Sequence, residues 1–122
     1  MAKIPYTMVF VSDMQRSIAF YRDVLGLPLK FESPGWTEFA TEGTTLALHK
    51  ASIPAAAGAD STVNPAGSCR FGLHVPSLDA LHEQLTAKGV RCIMPPTLQD
   101  FGARLSVYAD PDGLPISFGE SK

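Results

Sequence analysis

Two cysteines, Cys69 and Cys92, are all that 122 residues contain, and their separation matches no metal-binding spacing. One possible bridge is no disulfide framework, so both are read as reduced thiols of a cytosolic protein. Long apolar runs are missing as well: nothing approaches the ~20 residues that a membrane-spanning helix needs. The opening MAKIPYTMVF has no extended apolar core of the signal-peptide kind, and a cytoplasmic location is expected. Charge of one sign is also scarce. Ten Lys and Arg stand against twelve Asp and Glu, for a formal net charge of −2, without a run of either sign. That balance argues against nucleic acid or an anionic membrane as principal partner. The length suits one domain, residues 1–122, with a sizeable core.

What the chain does have is repetition, which dictates architecture before any residue-level detail. Tyr6 to Phe31 reads as strand, capped helix, glycine stop and second strand. Tyr6 to Val11 is β-branched and aromatic. Asp13 can cap a helix whose apolar positions Met14, Ile18, Tyr21 and Leu25 recur at helical spacing. Gly26 supplies the left-handed residue that stops it, and Pro28 prevents a restart. Sliding the chain by 64 residues superposes Val9 on Leu73, Val11 on Val75, Asp13 on Ser77 and Met14 on Leu78. Gly89 stops the second helix one residue earlier than Gly26 would predict. An offset of 70 aligns the ends of the halves: Gly43 with Gly113, Leu46 with Ile116, Leu48 with Phe118. The expected fold is α+β, two tandem βαβββ modules over residues 1–50 and 68–122, joined by a small-residue linker at 51–67.

In the first module the remaining strands are predicted at Lys30 to Ser33, Trp36 to Ala40 and Thr45 to Lys50. In the second they fall at Arg70 to Val75, Arg91 to Met94, Arg104 to Ala109 and Leu114 to Glu120, with Pro95-Pro96 ending the Arg91 strand. Alternation assigns faces. Thr7, Val9 and Val11 should meet the first helix; Phe71, Leu73, Val75, Leu105, Val107, Ile116 and Phe118 are their counterparts. The opposite face then receives Tyr6, Met8, Phe10, Trp36, Glu38, Ala47 and His49 from module one. Module two contributes Arg70, Gly72, His74, Arg104, Ser106, Tyr108 and Ser117.

The run SDMQRSIAFYRDVLGL, residues 12–27, resembles the opening of the vicinal oxygen chelate superfamily, which includes glyoxalase I, extradiol dioxygenases and bleomycin-resistance proteins. DPDGLPISF, residues 110–118, is similar to that family's last hairpin. The resemblance spans nearly the whole chain and implies curved half-barrel sheets around a cavity. It also implies metal-ligand positions, which map here onto Tyr6, Ala47, Arg70 and Ser117. Divalent ions at such sites take imidazole, carboxylate or amide oxygen. Alanine offers no ligand atom, and arginine brings a fixed positive charge where the cation would sit. The ordinary metal site is therefore not expected, and neither is any other cofactor.

Two readings of the remaining polar residues stay open. His49, His74 and Glu38 could form a displaced metal site, or stand as separate wall residues, since their spacing fixes no shared centre. Glu38 with Tyr108 could do acid–base work beside an Arg70 cation, or Glu38 could be a solvated edge-strand residue paired with Arg70. His82, on the second helix, is expected in solvent. Trp36 either stacks on a ligand or caps the core or an interface. Together these residues favour a metal-free binding protein of the bleomycin-resistance type, sequestering a small aromatic natural product or drug in the cavity. Its expected ligand-binding residues are Tyr6, Met8, Phe10, Trp36, Glu38 and His49, with Arg70, His74, Arg104, Tyr108 and Ser117. The alternative is a glyoxalase- or dioxygenase-like lyase, isomerase or oxygenase. A homodimer is expected, because open sheet edges call for pairing.

Overall fold

Strand β1, Tyr6–Val11, alternates outward rings with inward Val9 and Val11, and only the latter two are buried. The inward side chains need a cover, and helix α1, Met14–Ala19, supplies it with Met14 and Ile18. Asp13 caps α1 by accepting from the Arg16 amide at 3.1 Å. Residues Phe20–Val24 then continue as a π-helical turn, closed by the Leu25 amide donating to the Phe20 carbonyl at 3.0 Å. Gly26, at φ 77°, ends the helix as the sequence predicts. The turn buries Phe20 and Tyr21, the latter completely.

The structure is a computed structural model that describes residues 1, 4–51, 69–100 and 102–120. The predicted linker at 51–67 lies outside the described residues, apart from Ala51. The chain divides into two units, residues 1–57 and 58–122.

Three more strands complete the first unit: β2, Leu29–Glu32; β3, Trp36–Phe39; and β4, Thr45–Lys50. The sheet order is β1-β4-β3-β2. β1 and β4 run parallel, with Met8 opposite Ala47 and Phe10 opposite His49. Trp36 lies opposite His49 and Glu38 opposite Ala47 on the antiparallel β3–β4 pair. One face of the sheet therefore carries Val9, Val11, Phe39, Leu46 and Leu48, all buried under the helix. Each such side chain withdrawn from water contributes about 1.5–3 kcal/mol before entropy is counted.

The second unit repeats the pattern. It consists of β5, Gly72–Val75; α2, Leu78–Ala87; β6, Cys92–Leu98; β7, Arg104–Ala109; and β8, Pro115–Glu120. The sheet order is β5-β8-β7-β6. β5 and β8 are parallel, with Gly72 opposite Ser117 and Leu73 opposite Phe118. These pairs stand 64 and 70 residues beyond Met8 with Ala47 and Val9 with Leu48, so the two offsets read from sequence are one register repeated. Ser77 caps α2 through the Ala80 amide, and Gly89 has φ 74°.

Three expectations need correction. β6 does not stop at Met94 but runs through Pro95 and Pro96 to Leu98. It is an edge strand whose pairing to β7 shifts register between Met94 and Thr97, so the missing proline amides break no regular ladder. β2 begins at Leu29 and β5 at Gly72, one residue before and two after the predicted starts.

The third correction concerns the faces of β7, which are the reverse of those predicted. Tyr108 lies opposite Ile116 and Ser106 opposite Phe118, so Ser106 and Tyr108 share the buried face with Ile116 and Phe118. The Tyr108 hydroxyl and His82 Nδ1 on α2 are 2.9 Å apart, and Tyr108 packs edge-on to Phe118. His82 is thus half-buried and hydrogen-bonded rather than solvated. Arg104 also turns to the helix, with its guanidinium 2.8 Å from Asp79 Oδ1. Leu105 and Val107 face the other way, beside Gly119 and Ser117. No described helix is long and apolar enough to cross a membrane.

Burial pushes the Tyr108 phenol above its ordinary pKa. The folded protein therefore holds this proton more tightly than the unfolded chain. The corresponding stability is present below the unfolded value near ~10 and is lost as pH rises through the folded value. Tyr108→Phe should cost about 1 kcal/mol near neutral pH by orphaning the His82 hydrogen bond, and should flatten the alkaline loss of stability. Urea unfolding at several pH values checks both. Unchanged stability would return Tyr108 to an outward position.

Candidate functional site

The opposite face of the first sheet is where chemistry gathers. Tyr6, Met8 and Phe10 project from β1, Ala47 and His49 from β4, and Trp36 and Glu38 from β3, as the cross-strand pairs require. Ala47 is fully buried and forms the floor. Around it the rings stay open, Tyr6 at 50% and Phe10 at 58% relative exposure. Exposed large apolar side chains gathered on one face of a sheet form the kind of patch that a ligand or a protein surface can cover.

The rings are arranged edge to face. Tyr6 and Trp36 lie 5.6 Å apart at 83°, and Trp36 and His49 lie 6.0 Å apart at 87°. Phe10 tilts against His49 at 5.3 Å. Trp36 Nε1 donates to Glu38 Oε2 at 2.9 Å, which fixes the indole plane. Lys30 Nζ approaches Glu38 Oε1 at 3.8 Å and donates to Thr45 Oγ1 at 3.3 Å. Glu38 is therefore not an edge-strand carboxylate in solvent. It sits on the internal strand β3 and is engaged by an indole and an ammonium. A recess of ≈ 790 Å³ opens beside Lys30, between Ile4–Pro5 and the 42–45 turn.

Sequence reasoning missed two members of this face. Phe31, 52% exposed, lies opposite Glu38, and Lys30 precedes it. The β2–β3 pairing is irregular between Leu29 and Phe31, which lets consecutive side chains reach one side. Strict alternation had no way to assign both, although an aromatic just before the Ser33–Gly35 turn was a visible signal.

Of the eleven expected binding residues, Tyr6, Met8, Phe10, Trp36, Glu38 and His49 come together here. Arg70, His74 and Ser117 belong to the second unit. Arg70 is exposed ahead of β5, and Ser117 shares a face with Gly72. His74 is exposed beside Gly119, where a Cβ would meet its ring at 3.2 Å. Arg104 and Tyr108 point instead to α2, held by Asp79 and His82.

The comparisons with known proteins agree with this architecture. The family model described as Glyoxalase/Bleomycin resistance protein/Dioxygenase superfamily matches residues 3–118. The chain belongs to that superfamily. A protein of unknown function from Agrobacterium tumefaciens str. C58 is 27% identical, with TM-score 0.77, over 100% of this chain and 96% of that one. TnmS3, an antibiotic binding protein from Streptomyces sp. CB03234, is 26% identical, with TM-score 0.76, over 100% of this chain and 98% of that one. A lactoylglutathione lyase from Agrobacterium tumefaciens shares the fold at 20% identity and TM-score 0.77, over 99% and 95% of the two chains. No curated protein matches.

The superfamily implies a divalent metal in some members, and the donor set here does not fit one. On the first sheet the position on β4 is Ala47, a buried methyl group, and its partner is the Tyr6 phenol. In the second unit the corresponding pair is Arg70 and Ser117. Among the described residues no three His, Cys, Asp or Glu side chains gather as a ligand set.

Glu38 is the group that orients the indole. Glu38→Ala should free Trp36 Nε1 and loosen the ring. Trp36 is the only tryptophan, so its emission and anisotropy report on it alone. We expect a shifted emission maximum and lower anisotropy in this variant, with Glu38→Gln close to the parent. An unchanged spectrum in Glu38→Ala would show that the hydrogen bond does not hold the ring.

Proposed function

We propose that this protein is a metal-independent binder of a flat aromatic organic molecule, of the bleomycin-resistance type, and not a catalyst. The observation that carries the reading is the indole of Trp36, held by Glu38 on an open face it shares with Tyr6, Phe10 and Phe31. A rigid tryptophan on a strand offers a broad stacking surface at low entropic cost. The absent donor at Ala47 supports it from the other side, since a superfamily enzyme without its ion loses its Lewis acid. The 26% identity to an antibiotic binding protein points the same way. An enzymatic reading through Glu38 and Tyr108 loses ground, because the Tyr108 hydroxyl is committed to His82.

The test is a calorimetric titration of polycyclic aromatic compounds into the protein in the presence of a chelator. Trp36→Ala should weaken binding by about tenfold to a hundredfold, for a stacking contribution of roughly 1–3 kcal/mol. Its stability should change little, since Trp36 is only half-buried. A loss of roughly 3–5 kcal/mol of stability, with normal binding by the folded fraction, would make Trp36 part of the core instead. Turnover that appears only when metal is restored would overturn the binding reading.

We also propose a homodimer, because each sheet leaves the outer side of its edge strands unpaired among the described residues, β1 and β2 in one and β5 and β6 in the other. Light scattering should give twice the chain mass of 13.1 kDa at micromolar concentration. A particle of one chain mass would refute it.

A further inference from the structure

We infer that His49 selects the ligand by accepting a hydrogen bond from a hydroxyl group on its aromatic ring. This rests on the stacking surface proposed above and adds the functional group that surface recognises. His49 sits on the internal strand β4, directly opposite Phe10 on one side and Trp36 on the other. The three rings form one row across the exposed face. A flat molecule lying on that row meets few polar atoms. Phe10 has none, and the indole N–H of Trp36 is consumed by Glu38. His49 Nδ1 lies 2.8 Å from the Lys50 carbonyl oxygen. A carbonyl oxygen can only accept, so Nδ1 carries the proton. In the neutral imidazole Nε2 is then a lone-pair acceptor, and the Lys50 contact fixes which nitrogen it is. No described residue engages Nε2, and the side chain is exposed.

The row therefore offers a ligand one acceptor and no free donor. A ring bearing a phenolic hydroxyl satisfies it; the same ring with that oxygen methylated cannot donate and leaves Nε2 unpaired. Binding sites built around a hydrogen bond discriminate by this asymmetry. Because the site is open to water, which can partly replace the lost partner, the discrimination should be about tenfold rather than a thousandfold.

The experiment compares 2-naphthol with 2-methoxynaphthalene by calorimetry in one mildly alkaline buffer. The intact protein should bind the naphthol about tenfold tighter. His49→Phe keeps an aromatic ring and removes the acceptor, so the two affinities should converge. His49→Gln restores an acceptor oxygen and should recover part of the preference. Circular dichroism melts confirm that each variant is folded. Equal affinities in the parent, or a preference that survives His49→Phe, would overturn the role of His49 while leaving stacking intact. If neither compound binds, or both bind Trp36→Ala as they bind the parent, the stacking surface itself is wrong and this inference falls with it.

Discussion

In each unit the first strand lies parallel to the last, with Met8 opposite Ala47 in one and Gly72 opposite Ser117 in the other. Parallel neighbours cannot be joined by a tight turn, so the chain between them must travel. Here it travels through a covering helix and two antiparallel strands before returning. This pairing decides which residues of β1 and β4 face the helix, and so which are left on the open side. Trp36 and Glu38 then reach this side through the antiparallel β3–β4 pairing, which sets Trp36 opposite His49, thirteen positions away in sequence.

Much of the first unit could be read from its residues because its strands alternate cleanly. Tyr6, Met8 and Phe10 against Thr7, Val9 and Val11 leaves one sensible choice of face, and Asp13 and Gly26 punctuate the helix by chemistry that acts locally. β7 was misread for a physical reason. Arg104, Ser106 and Tyr108 look like an outward polar stripe, but two of the three find partners on α2, Asp79 and His82. A buried polar group with a partner is cheap, and no local pattern announces a partner that lies 25 or 26 residues away. Pro95 and Pro96 misled in the same way, because their tolerance depends on the edge position and irregular register of β6.

The site shows a comparable division. Its aromatic character was legible, because residue type and alternation sufficed. Its orientation was not. The Nε1–H of Trp36 reaching Glu38, the ammonium of Lys30 beside the same carboxylate, and the Nδ1 proton of His49 on the Lys50 carbonyl are matters of ångströms. These contacts turn a patch of apolar rings into a surface with fixed planes and one oriented lone pair. The difference matters for recognition: an unfixed patch discriminates mainly by area, whereas oriented polar atoms discriminate by functional group.

The π-helical turn at Phe20–Val24 offers a view of how the two halves diverged. Cap and glycine stop are thirteen residues apart in the first unit, Asp13 to Gly26, and twelve in the second, Ser77 to Gly89. A hydrogen-bonded ring closed from residue i to i+5 holds one more residue than a ring of the ordinary helix. The wide turn is thus where the first unit accommodates its one extra residue between cap and glycine stop. The first unit carries that residue as a local change of helical pitch, between a cap and a glycine stop that each have a counterpart in the second.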